Sequence, residues 1–120
     1  MRVQNYLHAD PRVSPEAPGA SLRWVIGEEE GAPTFAMRVA ELEMGAATPF
    51  HSHDFEHEVF VLVGRGKVYG GGEQAALSEG DAVFIPPMEE HRFLNDGDGP
   101  LRFICAIPLP GQSAGSHRER

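Results

Sequence analysis

Apolar and polar residues alternate with a period of two along most of this chain, in short runs broken by glycine and proline. In "EVFVLVG" (58–64), Val59, Val61 and Val63 fall on one side and Phe60 and Leu62 on the other. In "LRFICAIP" (101–108), Leu101, Phe103, Cys105 and Ile107 share a face opposite Arg102, Ile104 and Ala106. Successive side chains of a pleated strand leave opposite faces, so this alternation predicts strands. More strands are expected at "LRWVIG" (22–27), "TFAMRVAELEM" (34–44), "GKVYGG" (66–71), "DAVFIP" (81–86) and "HRFLN" (91–95). The turn sequences "GEEEGAP", "GGGEQ", "SEGD" and "NDGDGP" separate the runs. No segment keeps an i, i+3, i+4, i+7 apolar pattern over three turns. Many short strands at regular spacing predict an all-β sandwich or barrel.

The 120 residues suffice for one hydrophobic core and not two. Prolines at 11, 15 and 18 predict a flexible N-terminal arm over 1–20, ahead of a single domain over 21–110. The polar "GQSAGSHRER" over 111–120 is expected to be a disordered tail. Ten Lys and Arg against eighteen Asp and Glu give a formal charge of -8 with no basic run, so nucleic acid and anionic membrane are poor partners. One cysteine, Cys105, excludes an internal disulfide and a cysteine-based zinc knuckle. No apolar stretch approaches the roughly 18 residues of a membrane span, and the first residues lack an apolar leader. A cytoplasmic protein is expected.

Histidines concentrate where the chemistry should lie. His51 and His53, two apart in extended chain, present two imidazoles on one face, and His57 opens the next strand in phase with Val59, Val61 and Val63. His91 opens a later strand, whereas His8 and His117 fall in the expected arms. Neutral imidazole is a common transition-metal ligand, so His51, His53, His57 and His91 form one candidate site.

"GAATPFHSHDFEHEVFVLVG" (45–64) and "GDAVFIPPMEEHRFLN" (80–95) resemble the two motifs of the cupin superfamily, G-x5-H-x-H-x3,4-E-x6-G and G-x5-P-x-G-x2-H-x3-N. Gly45, His51, His53 and Gly64 match the first; Gly80, Pro86, His91 and Asn95 match the second, with Met88 standing in place of a glycine. The resemblance covers residues 22 to 108 and implies a double-stranded β-helix, or jelly-roll barrel. Leaving six residues between the slot of the usual glutamate and Gly64 puts His57 in that slot and turns Glu58 to the other face. The set then resembles small single-domain cupins with an "HSHxxEHE" signature, in which four histidines hold manganese or another divalent metal. The resemblance puts manganese first, with iron beside it. Imidazole ligation in general also suits zinc, nickel and copper.

Four neutral ligands leave the ion's charge uncompensated and favour an anionic partner such as a carboxylate or enolate. Glu56, Glu89 and main-chain carbonyls are candidates to orient the imidazoles. Phe93, Phe103, Cys105 and Ile107 are expected to wall a small apolar cavity, with Arg38 and Thr48 as its polar exceptions. Such a cavity suits a small aromatic, enol or keto compound better than a sugar. A metal-dependent dioxygenase-type oxidoreductase is the leading expectation. A non-oxidative isomerase or decarboxylase, or a binding module without turnover, are the alternatives. Phe60, Leu62, Trp24 and Ile26 suggest a second apolar face, and hence a homodimer joined through the N-terminal strands.

Overall fold

Strands dominate the computed structural model, which describes residues 1–109; the tail expected over 111–120 lies outside them. In chain order they are β1 (Arg12–Val13), β2 (Ala20–Ile26), β3 (Phe35–Leu42), β4 (His57–Val63), β5 (Gly66–Gly70), β6 (Glu73–Leu77), β7 (Ala82–Ile85), β8 (His91–Leu94) and β9 (Leu101–Pro108). Two single 3₁₀ turns, Tyr6–His8 and Glu28–Glu30, complete the regular structure. A six-stranded sheet runs β1-β2-β3-β9-β4-β7 and a three-stranded sheet runs β6-β5-β8. All pairings are antiparallel. Isolated bridges from Ala47 to Leu94 and from His51 to His91 extend the smaller sheet with the segment before β4. The result is the expected jelly roll.

The alternation read from the sequence sorts the faces. In β9, Leu101, Phe103, Cys105 and Ile107 are buried, and in β4 His57, Val59 and Val61 are buried while Glu58, Phe60 and Leu62 are exposed. Each fully buried Val, Leu or Phe contributes on the order of 1.5–3 kcal/mol, so the inner faces hold the two sheets together. Ala36 and Ala40 flank Arg38 on the inner face of β3, and their small side chains leave room for a cavity there. Asn95 is wholly buried, and its amide donates to the carbonyls of Leu42 and Gly99, both at 2.8 Å. Those bonds satisfy a polar group that would otherwise be costly inside.

Three expectations need amendment. Residues 73–77, of which "EQ" was assigned to a turn, form β6 against β5; Glu, Gln and Ala have little strand propensity, and pairing supplies what propensity does not. The segment expected as an arm is tied to the sheet. β1 pairs with β2, the Gln4 amide donates to the Val25 carbonyl at 2.8 Å, and Arg23 donates to the carbonyls of Leu7 and Ala9. Trp24, counted toward an outer apolar face, is buried on the inner one, where its pairing with Arg38 sets it; the bulge that follows turns Ile26 to the other face, opposite Met37. Phe60, Leu62, Phe84 and Met37 remain on the outer face.

Two positions explain the motif spacing. Gly64 has φ 92°, and a Cβ there would lie 2.2 Å from the Pro100 carbonyl oxygen, so the count back to His57 rests on a position that tolerates only glycine. Met88, in place of the second motif's glycine, has φ 72°, and it is the sole non-glycine residue with positive φ among those described. An L-residue in this region is strained by about 1–2 kcal/mol, and glycine gives back roughly half of that in unfolded-chain entropy. Met88→Gly should therefore raise unfolding free energy by about 0.5–1 kcal/mol in a denaturant titration. A destabilisation would show that the Met88 side chain contributes more than its backbone costs.

Candidate metal centre

Main-chain pairing brings the histidines to one end of the barrel. The His51 amide donates to the His91 carbonyl at 3.1 Å and the His91 amide to the His51 carbonyl at 2.9 Å. Nearby, the Met88 amide donates to the His53 carbonyl. These bonds stitch the loop before β4 to the loop before β8, although the two lie some forty residues apart in sequence. His57 and His91 are the first residues of β4 and β8 and point inward, with 6% and 7% of their surface exposed.

Nitrogens of His53, His57 and His91 lie within 4.8 Å of one another. Ligands about 2.1 Å from a shared ion stand roughly 3 to 3.5 Å apart, so small ring rotations complete the set. His51 lines the same cavity but is exposed, with its ring centroid 5.6 Å from that of His53, and it stands outside the tight group of three. Phe55, which sequence reasoning did not single out, is buried and stacks on His53 at 4.8 Å with planes 14° apart. It fixes the ring of the one histidine in the group that no strand carries.

The orienting contacts are specific. His91 Nδ1 lies 3.0 Å from the Glu89 carbonyl oxygen, so it donates and turns Nε2 to the site. Glu89 thus serves through its main chain rather than its carboxylate. His57 Nδ1 lies 3.2 Å from Cys105 Sγ, and Arg38 Nη2 donates to the same sulfur at 3.0 Å. Glu58 faces away from the site on β4, opposite Phe84 and Ala106. Burial pushes the His91 imidazolium below the ordinary histidine range. The charges of His51 and Arg38 push the same way, against the Glu89 carbonyl and carboxylate. His91 is therefore neutral, the form that binds a metal. Three clustered imidazoles, with the His91 tautomer set by the Glu89 carbonyl, fit a divalent transition ion.

The histidines form part of the wall of a cavity of about 370 Å³. Arg38, Thr48, Phe93, Phe103, Cys105 and Ile107 line it too. Thr48 is held by the Phe93 amide, which donates to its hydroxyl at 2.9 Å. Sequence reasoning missed Trp24, under the Arg38 guanidinium at 5.2 Å, and Arg12, Val13, Ser14 and Ala17 from the N-terminal segment. A lone "RV" between prolines carries no periodic signal. Only its pairing with β2 brings it to the cavity mouth.

The model of the Cupin domain family matches residues 38–107. The chain belongs to the cupin domain family. This cupin is 30% identical over 70 residues to an oxalate-binding protein of Thermotoga maritima, covering 58% of each chain. It is 33% identical over 67 residues to gentisate 1,2 dioxygenase 1 of Aquipseudomonas alcaligenes, covering 55% of this chain and 19% of that one. The cupin chain thus spans little more than half of one relative and a fifth of the other. Among solved structures it superposes on the polyketide cyclase RemF of Streptomyces resistomycificus with TM-score 0.83 and 28% identity, over 90% of this chain and 79% of that one.

His57→Ala should weaken metal affinity roughly 10- to 1,000-fold, extrapolating upward from the 10- to 100-fold typical of outer-shell losses. Glu58→Gln should leave metal content intact. Metal emission after dialysis reads both. The same measurement in wild type should show the ion lost as pH falls through about 6 to 5, since protons compete with the metal for imidazole nitrogens, whose reference pKa is ~6.5. His91 is lower in the folded chain, so the unfolded chain takes up more protons. Stability of the metal-free protein should accordingly fall as pH drops below about 6.5. Metal loss in Glu58→Gln with retention in His57→Ala would overturn the ligand assignment.

Proposed function

We propose that this cupin is a metal-dependent enzyme of the dioxygenase-type oxidoreductase class, acting on a small, mainly apolar substrate that carries an enol, phenol or keto oxygen. The observation that supports this reading is that His53, His57 and His91 open onto the apolar cavity instead of being sealed from it. Structural sites are closed, whereas sites that act on a substrate keep a position for it. A divalent ion bound there would supply Lewis acidity toward a substrate oxygen. Trp24, Phe93, Phe103 and Ile107 grip an apolar body and exclude water, and Thr48 offers a hydroxyl at the wall. His51 enters the proposal as a fourth ligand, since its main chain is paired with that of His91 and its ring borders the same cavity. Manganese or iron is the proposed ion, on the likeness to the "HSHxxEHE" signature; zinc, nickel and copper are the alternatives on ligand chemistry.

The likeness to a polyketide cyclase over 90% of this chain favours a second reading, non-oxidative turnover in which the site polarises a carbonyl. Oxygen uptake by the iron- and manganese-loaded protein, screened with dihydroxybenzoates and 1,3-diketones, separates the two. Stoichiometric oxygen consumption with substrate loss supports the oxygenase. Substrate loss without oxygen uptake sinks it in favour of the second reading.

We also propose a homodimer. The outer face of β3, β9, β4 and β7 carries apolar side chains on either side of Glu58: Phe60 pairs with Ile104 and Ala82, and Glu58 sits between Ala106 and Phe84. Phe60 and Phe84 are 46% and 60% exposed, and Ile26 at the end of β2 is 42% exposed. Such a face is normally covered. Sedimentation at micromolar concentration should give a dimer, and Phe60→Glu a monomer. A monomeric wild type would rule the proposal out.

A further inference from the structure

Charge is distributed unevenly between this chain and its cavity. The chain carries eighteen acidic side chains and a formal charge of -8. None of the seventeen among the described residues lines the cavity, where the charged side chains are Arg12 and Arg38. Neither arginine forms an ion pair among the described residues, in which the pairs are Lys67 with Asp96 and Arg102 with Glu41.

Arg38 is held but not neutralised. Its Nη2 donates to Cys105 Sγ at 3.0 Å, and its guanidinium lies over the Trp24 ring at 5.2 Å. Sulfur is a weak acceptor and an aromatic face carries no net charge. Arg38 Nε is buried and has no hydrogen-bond partner. A buried donor without an acceptor is unfavourable, and a water or a ligand in the cavity that Arg38 lines would have to supply one. A guanidinium edge matches a carboxylate with two parallel N–H bonds. Trp24, Phe93, Phe103 and Ile107 make the rest of the wall mainly apolar, with Arg12, Ser14, Ser21, Thr48 and the histidines as its polar members, which suits an anionic group on an apolar body.

We propose that the cavity selects small monocarboxylates with an apolar or aromatic body, and that Arg38 is the residue that recognises the carboxylate. The inference deepens the proposed function by naming its substrate class. It shares that cavity but not the metal, so it can be tested without one.

Trp24 is the single tryptophan of the chain and touches the guanidinium, so its fluorescence reports occupancy. Protein dialysed against chelator is titrated with benzoate and with its neutral isostere benzamide, in wild type, Arg38→Gln and Arg38→Lys. Benzoate should bind wild type about 10- to 100-fold more tightly than benzamide, the range expected of a charge-assisted hydrogen bond. The preference should vanish in Arg38→Gln and shrink in Arg38→Lys, which keeps the charge but loses the fork. Equal affinity in wild type, no quenching by benzoate, or a preference retained in Arg38→Gln would overturn the proposal. Should Arg38→Gln fail to fold, an undiminished preference in Arg38→Lys would overturn it as well. A chain that proves inert with every metal leaves this titration unaffected, so the two proposals fail separately.

Discussion

The reciprocal main-chain pairing of His51 with His91 is the contact on which the site depends. Strand pairing is indifferent to side chains, so it can place a histidine from each of two distant loops at one barrel end without help from a metal. The Met88 amide on the His53 carbonyl adds a second stitch at the cost of a left-handed methionine. With both loops fixed, only short ring rotations separate the histidine cluster from a ligand set. Backbone order comes first and side-chain chemistry is carried on it.

Alternation then divides labour within each strand. On β4 the same zigzag that turns His57, Val59 and Val61 inward puts Glu58, Phe60 and Leu62 outside. On β9 it lines Phe103, Cys105 and Ile107 along the cavity. Register makes these faces cooperate: Arg38 is paired with Cys105 across β3 and β9, and Cys105 with Val59 across β9 and β4. A half-buried arginine, a thiol and a histidine meet in a row across three neighbouring strands, both contacts falling on Cys105 Sγ. The alanines beside Arg38 keep that row from being filled by bulk, which is why the interior is a cavity here and a packed core near Val61 and Leu101.

Sequence reasoning worked where one periodicity carried the information. The inward placement of His57 and not Glu58 follows from its phase with the β4 valines, and Gly64 supplied the count. The pocket residues of β8 and β9 followed from the same rule. It failed where local pattern and tertiary contact disagree. Residues 73–77 lack β-branched and aromatic side chains and form a strand because β5 offers a free edge. Trp24 lies near a bulge, and a one-residue slip moves a side chain to the opposite face.

What the sequence determined by itself was the strand alternation, the glycines that terminate strands, and the identity of the residues able to bind a metal. These depend on residues within a few positions of one another. Tertiary structure alone decided that His51 stands apart from the other three histidines, that the N-terminal segment walls the cavity mouth, and that no carboxylate among the described residues pairs with Arg38. Each of those facts is a distance between residues remote in sequence. Only the closure of the two sheets fixes them, because no local spacing encodes which side chains share the space inside a barrel.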